Sequence, residues 1–491
     1  MLTNAILTVK EMYRADSAAI ESGTPSLTLM ENAGKAITDA ITTRWQPCPV
    51  TVLCGPGNNG GDGFVVARLL ASKGWPIKLA LLGNIEALEG DVATNAKYWE
   101  NTVQALSMEA LNDTEIVIDA LFGAGLNRSL ETPASEVVEA INARSLTCVA
   151  VDTPSGVHGD SGKILGIAPK AKLTVTFFRP KPGHLLMPGR EYCGELIVAD
   201  IGIPETVLEK IRPSIFYNGP EIWANRYPWP TTSSHKYKRG HAIIAGSETM
   251  IGAARLAALA ARRIGAGLVT IAAPPKSFAI YAAGDPGNLV RETPNAKTFT
   301  AYLNDPRRNV ALIGPGIGIS LETRDKVLGA LMLKKSCVLD ADALTTFSDE
   351  PEVLFDAIRC ATSCVLTPHD GEFQRLFDMD LAEDKLTRAR KAAEVSGAIV
   401  LLKGADTVIA HPNGTTAINS TGTPFLATAG SGDVLAGIIA GLLAQGVDAF
   451  DSATIGAWLH GAAAERFGPG MIAEDLLDVI PTTLAKLMER E

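Results

Sequence analysis

Short runs of β-branched and other apolar residues alternate along the chain with longer Ala- and Leu-rich stretches whose apolar positions recur at helical spacing. That alternation predicts parallel strands joined by covering helices, an α/β architecture with both faces of each sheet buried. In the first half the predicted strands are 50–54, 77–82, 116–120, 148–151 and 173–177. In the second half they are 242–245, 268–272, 310–313, 337–339, 364–366 and 399–402. A later pair, 406–410 and 415–418, is split by His411-Pro412-Asn413-Gly414 and reads as a hairpin. Helices are predicted from about Phe64 to Ser72, over 253–264 and over 434–444, the last two closing at or near Gly265 and Gly446.

The pattern lapses between about Pro213 and Gly240, where proline, hydroxyl and basic residues gather around several aromatics. This stretch predicts a partly packed linker, 219–237, between domains 1–218 and 238–491. A chain of 491 residues exceeds what one hydrophobic core organises, so two domains are the natural division.

Composition narrows the partners. The chain is 46% hydrophobic and 20% charged with a net charge of -10, which is globular and argues against a nucleic-acid or membrane-surface binder. A small anionic ligand stays open, because backbone N–H groups hold phosphate without help from net charge. The seven cysteines follow no framework spacing and read as reduced thiols of a cytoplasmic protein. Cys360, Cys364 and His369 lack the second ligand pair a tetrahedral metal site needs. No basic leader opens the chain, and the longest apolar stretch, 434–447, falls short of the roughly 20 residues that span a bilayer.

Chemistry concentrates at strand ends. After strand 50–54 comes Gly55-Pro56-Gly57-Asn58-Asn59-Gly60-Gly61-Asp62-Gly63, a loop able to present bare amides and a helix N-terminus to an anion. It is not G-x-G-x-x-G, so an ordinary NAD dehydrogenase is not implied. Two further strands end in acids, Asp119 before Gly123-Ala124-Gly125-Leu126-Asn127-Arg128 and Asp152 before Thr153-Pro154-Ser155-Gly156. Ligands of open α/β sheets bind outside the carboxyl ends of the strands, which brings both acids beside the glycine loop.

With Leu29-Met30-Glu31-Asn32-Ala33-Gly34, these motifs resemble the NAD(P)H-hydrate epimerase family over roughly the first 215 residues. The resemblance implies a Rossmann-like domain. In it Asn58, Asn59, Gly60, Gly61, Asp62, Gly123, Ala124, Gly125, Leu126, Asn127, Arg128, Ser129 and Asp152 line the hydrate site. It also implies a potassium ion on Asn59, Asp119 and Ser155. The hydrate carries a hydroxyl on a ring carbon bonded to the ring nitrogen. Protonating that hydroxyl lets the nitrogen lone pair expel water, and water returning on the other face inverts the centre. Asp152 is the expected acid/base.

In the second half, Ala429-Gly430-Ser431-Gly432-Asp433 opens an apolar helix, a phosphate-holding turn with a carboxylate positioned to take a proton from an attacking hydroxyl. Lys403-Gly404-Ala405-Asp406-Thr407, Thr367-Pro368-His369, Gly314-Pro315-Gly316 and Leu339-Asp340-Ala341-Asp342 follow other strands, and Gly252-Ala253 completes the rim. Together these resemble the NAD(P)H-hydrate dehydratase family, a branch of the ribokinase-like kinases, from about Lys238 onward. The resemblance implies that Ala253, Gly316, His369 and Asp433 contact the hydrate, and that Lys403, Gly404, Ala405, Asp406, Thr407 and Gly432 contact the nucleotide. It further implies ADP with magnesium as the phosphoryl donor, and a homo-oligomer is expected. Two readings stay open: a small-molecule kinase in the second half, and a non-catalytic binding module in the first.

Overall fold

The computed structural model describes residues 2–380 and 382–489. The chain divides into two units between Ile215 and Phe216. In the first, the strands are β1 (Val50–Cys54), β2 (Ile77–Leu81), β3 (Val103–Ala105), β4 (Ile116–Ala120), β5 (Thr147–Val151), β6 (Leu173–Phe177) and β7 (Glu195–Ala199). They form a seven-stranded sheet in the order β3-β2-β1-β4-β5-β6-β7, every pair parallel. This is the Rossmann-like doubly wound arrangement. The order reverses between β1 and β4, so the loops after these strands diverge and leave a crevice at their carboxyl ends. Helix α1 (Val9–Glu21) precedes the sheet, its start fixed by a reciprocal Thr8–Glu11 capping box.

Helix α2 (Asn58–Ser72) begins six residues before the expected Phe64 start. The loop glycines are therefore mostly helical, and they permit close packing. A Cβ on Gly60 would lie 1.8 Å from the Gly55 carbonyl oxygen, and one on Gly63 2.7 Å from the Ala120 Cβ. Glycine here lets the helix sit directly on β1 and β4.

In the second unit, β8 (His241–Ala245), β9 (Leu268–Ala273), β10 (Leu289–Glu292), β11 (Val310–Ile313), β12 (Ser336–Leu339), β13 (Ser363–Leu366) and β14 (Ile399–Leu402) run parallel. The expected hairpin, β15 (Val408–Ala410) and β16 (Thr416–Ile418), adds antiparallel to β14. Along the sheet these nine strands run in the order β16-β15-β14-β13-β12-β11-β8-β9-β10. The helices that matter for the site are α3 (Ile251–Arg263), α4 (Asp370–Phe377), α5 (Ser431–Ala444) and α6 (Ala449–Phe467). Every residue of α5 from Val434 to Ala444 is buried, and Gly437 lets it pack against the backbone of α3, where a Cβ would meet the Ala257 carbonyl oxygen at 2.3 Å. An all-round apolar helix is thus the centre of a soluble core.

Much of the expected linker is part of this core. Trp223 is fully buried and meets Trp458 edge-on at 5.6 Å between ring centroids. Its indole N–H donates to Asn218, whose amide donates in turn to Asn419 and to the Thr454 carbonyl. Arg226 pairs with Asp451. Only residues 230–238 run exposed. Proline and polar residues concealed an entry segment whose aromatics pack as core.

Candidate active sites

The crevice of the first unit holds a cavity of about 460 Å³. Its lining includes Asn58, Asn59, Asp62, Gly123, Ala124, Gly125, Leu126, Asn127, Arg128 and Asp152. Gly60 and Gly61 instead turn toward the Gly55 carbonyl and the Met30 side chain. Ser129 is exposed beside Gly166.

Asp152 follows β5 with φ +62, an uncommon left-handed conformation for a residue with a side chain. The main chain there is held by neighbours. Asp152 N–H donates to the Val175 carbonyl at 2.8 Å, and its own carbonyl lies 2.8 Å from His184 Nε2. His184 Nδ1 accepts from the Lys181 N–H, so the proton sits on Nε2, which donates. Burial alone would push the Asp152 carboxyl up. The Lys181 ammonium at 2.7 Å outweighs it, with the Ala124 amide donating at 2.9 Å, and the carboxyl settles at about 2. Asp152 is therefore held ionised at rest.

Two other carboxyls in the cavity behave oppositely. Burial, reinforced by the charge of Asp152, raises Asp16 to about 6 and holds Asp62 well above the ordinary range. Sequence reading missed Tyr13, Asp16, Thr176, Lys181 and His184. Lys181-Pro182-Gly183-His184, directly after β6, was the available signal: another strand-end turn rich in functional side chains.

Asp119 is fully buried behind the cavity. Its oxygens accept from Ser155 N–H at 2.7 Å and Ser155 Oγ at 2.6 Å, and from Leu121 N–H at 3.3 Å. Burial raises its carboxyl against these bonds. Asn59 completes the expected trio; its side-chain amide nitrogen is buried with no hydrogen-bond partner. Gly123 is pressed close, since a Cβ there would lie 2.9 Å from Asp152 Oδ2 and 3.0 Å from Asn59 Oδ1.

In the second unit the strand-end residues converge. Lys403 donates to Asp340 Oδ1 at 2.8 Å and lies 3.8 Å from Glu372, while Thr367 also donates to Asp340 at 2.9 Å. Gly432, at the start of α5, is the next neighbour: a Cβ there would be 3.6 Å from Lys403 Nζ. Burial, with the nearby Asp340 charge, raises Asp433 to about 6 against the pull of Lys403. Burial disfavours the Lys403 ammonium, yet Asp340 and Glu372, with Asp433 behind them, raise its pKa overall. The amides of Gly432 and Asp433 find no main-chain acceptor among the described residues. His460, missed by the sequence reading, lies 2.9 Å from the Ser431 carbonyl and steadies this turn.

His369 caps α4, its Nδ1 accepting from the Gly371 and Glu372 amides at 3.0 and 3.2 Å, with Nε2 3.3 Å from Glu372. Its ring remains half-exposed at the crevice edge. Gly316, at φ +63, stands beside Ala253. Of the expected nucleotide segment, Gly404 and Ala405 are exposed and Thr407 closes a turn on Gly404. Asp406 points inward to Lys385 at 2.8 Å.

Known proteins carry the same two units. The NAD(P)H-hydrate dehydratase family matches residues 241–483, and the family described as YjeF-related protein N-terminus matches 26–183. A bifunctional NAD(P)H-hydrate repair enzyme of Thermofilum pendens is 37% identical over 98% of this chain and 96% of its own length. Its counterpart in Moorella thermoacetica is 38% identical over 99% and 97%. This chain belongs to the bifunctional NAD(P)H-hydrate repair enzyme family. Among solved structures, the ADP/ATP-dependent NAD(P)H-hydrate dehydratase of Bacillus subtilis co-crystallised with ATP/Mg2+ is 28% identical, with a TM-score of 0.49 over 55% of this chain and 98% of that one. Membership in the repair family assigns the epimerase activity to the first unit and the dehydratase activity to the second.

Proposed function

We propose that the first cavity interconverts the R and S epimers of NAD(P)H hydrate, and that the second crevice dehydrates the S epimer with ADP as phosphoryl donor. The observation that carries this reading is the pair of separate crevices. Each joins the N-terminus of a buried helix to a carboxylate and a lysine.

In the first, the turn 58–62 and the loop 123–128 bind the hydrate, and Asp152, kept ionised by Lys181, accepts the proton of incoming water. The Asp119–Ser155–Asn59 cluster suits a potassium ion. Asp119 is a buried carboxylate bonded to Ser155 and without a cationic partner among the described residues, and the orphaned nitrogen position of Asn59 becomes an oxygen ligand on rotation. Bound there, the ion would neutralise Asp119 and brace both loops.

In the second, Asp433 accepts the proton of the substrate hydroxyl as its oxygen attacks the terminal phosphorus, and AMP departs. Lys403 and the free amides of Gly432 and Asp433 stabilise charge on the transferring group. Hydroxide is a poor leaving group and phosphate a good one, so the ring nitrogen lone pair expels phosphate and loss of the neighbouring ring proton restores NAD(P)H. No group of three His, Cys, Asp or Glu among the described residues forms a direct metal cage. Magnesium suits the site as an ion carried on the nucleotide phosphates, with Asp340, Glu372 and Asp433 set around a single ammonium. It would screen phosphate charge.

Among the described residues no helix is long and apolar enough to cross a membrane. A cytoplasmic setting and a homo-oligomer are the expected context of this chemistry. The test is incubation of the full chain with both hydrate epimers. With ADP and magnesium both should return to NAD(P)H, read by near-ultraviolet absorbance; without nucleotide the epimers should interconvert and no more. A stable phosphorylated product would make the second unit a kinase, and one epimer left untouched would make the first a binding module.

A further inference from the structure

Asp16 belongs to none of the motifs that point to the epimerase site, yet the fold delivers it there. Val9, Met12, Tyr13 and Asp16 recur at helical spacing on α1, and all four line the cavity. The helix is seated over the loops that follow β4 and β5. The Val9 amide donates to Asp160 at 2.8 Å, and a Cβ on Gly159 would lie 2.6 Å from Val9 Cγ2. One on Gly125 would lie 2.1 Å from the Tyr13 hydroxyl. Asp16 therefore enters from an element separate from the sheet that carries Asp152. No hydrogen bond or ion pair holds it among the described residues, although it shares its helix face with apolar neighbours. Free of any such bond, the carboxyl faces the cavity that Asp152 also lines.

We propose that Asp16 is a second acid/base of the epimerisation, exchanging protons with the ring hydroxyl and water from α1 while Asp152 does so from the end of β5. The proposal rests on the epimerase reading of this cavity. The carboxyl proton of Asp16 passes to the ring hydroxyl. The C–O bond breaks with its electron pair leaving on water, and the ring nitrogen lone pair forms a C=N bond. Water then attacks the opposite face, the lone pair returns to nitrogen, and the water proton passes to the Asp152 carboxylate. Solvent returns that proton from Asp152 to Asp16. For the other epimer the roles exchange: the proton first moves through solvent from Asp16 to Asp152, Asp152 protonates the hydroxyl, and Asp16 accepts from the incoming water.

The charged and titratable groups facing Asp16 are Tyr13 on its own helix, Asp62 on α2, Arg128 after β4, Asp152 after β5 and Lys181 after β6. Burial and the Asp152 charge keep Asp16 protonated up to about pH 6 against the pull of Lys181. Asp62 is also held protonated, but it is 8% exposed and lies one helical turn from Asn59. Asp16 is only partly buried, so solvent can renew its proton at each turnover.

The experiment follows epimer interconversion by chromatography, with the full chain, NADH hydrate and no nucleotide, from pH 5 to 8. The wild-type rate should fall as pH rises through about 6. Asp16→Asn should lower kcat at pH 6 by about 100-fold with KM within about threefold, and the falling limb should vanish. Asp16→Glu should restore part of the rate and the limb. Asp16→Ser, small and tolerated on a partly exposed face, reports the same loss should the amide fold poorly. A near-wild-type Asp16→Asn, a loss confined to KM, a wild-type profile without the limb, or a limb removed by Asp62→Asn instead would each overturn the proposal. No epimerisation by the wild type at all would overturn the underlying reading of the cavity.

Discussion

The two crevices use one plan and shift Asp152 and Asp433 in opposite directions. Each sets a carboxylate and a lysine at the ends of parallel strands beside a glycine-bearing helix start. In the first, Lys181 pairs directly with Asp152, and the carboxyl falls to about 2. In the second, Lys403 pairs with Asp340 and Glu372 with Asp433 beyond them, and Asp433 rises to about 6. Burial pushes both carboxyls upward; a direct ion pair with the ammonium overrides it at Asp152, and Asp433, outside that pair, keeps the rise. An acid that must attract and release a proton near neutrality is built by burial just outside an ion pair. One that stays charged is built by direct pairing.

The largest effect expected is at Asp433. Asp433→Asn should reduce dehydration by about 1,000-fold or more while epimerisation continues, measured by recovery of absorbance and by epimer chromatography on the same sample. Wild-type dehydration should also fall as pH drops below about 6, because the base becomes protonated. Next is Lys181→Met. Removing the ammonium paired with Asp152 leaves a buried carboxylate uncompensated, so epimerisation should fall by about 100-fold and its pH profile shift upward. An unchanged profile would break the argument from direct pairing.

The glycine turns separate the crevices further. Gly60→Ala forces a Cβ to within 1.8 Å of a backbone oxygen, and should destabilise the first unit by about 3 kcal/mol in a thermal or denaturant melt. Gly432→Ala meets only the tip of Lys403 at 3.6 Å and should leave the melt of the second unit unaltered.

The smallest effect expected concerns acid. His184 in the first unit, and His241 and His460 in the second, are buried and lowered to about 4. Each is neutral when folded. Its contribution, at most about 3 kcal/mol, is whole above the unfolded pKa near 6.5 and is lost as pH falls from there through about 4. Carboxyls raised by burial act in the other direction, because the folded state binds their protons more tightly as pH falls. The first unit has Asp16, Asp62 and Asp119 of this kind against one such histidine, the second Asp433 against two. Melts at pH 7 and pH 5 should show the second unit losing more; equal losses would refute this balance.

The strands that carry the sites were legible because buried parallel strands are continuous apolar runs, and their ends bear the motifs. The edge strands β3, β7 and β10 were not. Val103-Gln104-Ala105 and Leu289-Val290-Arg291-Glu292 are short, largely exposed and without an apolar run, whereas Glu195–Ala199 carries one, Leu196-Ile197-Val198-Ala199, that the sequence reading passed over. The start of α2 was misplaced because glycine and asparagine are poor helix formers in isolation, and here packing against β1 and β4 overrides propensity. The segment 219–229 read as a linker because proline and charge surround Trp223, whose burial depends on contacts with residues about 200 positions away.

Local chemistry along the chain determined the two α/β units, the strand ends where ligands bind, and the carboxylates Asp119, Asp152 and Asp433. Only the tertiary structure decided which of those acids is charged, that Asp406 turns inward, and that Asp16, Lys181 and His184 join the first cavity. The reason is range. Strand periodicity and turn chemistry act over a few neighbouring residues, whereas a pKa is set by burial and by charges brought within a few ångströms from distant parts of the chain.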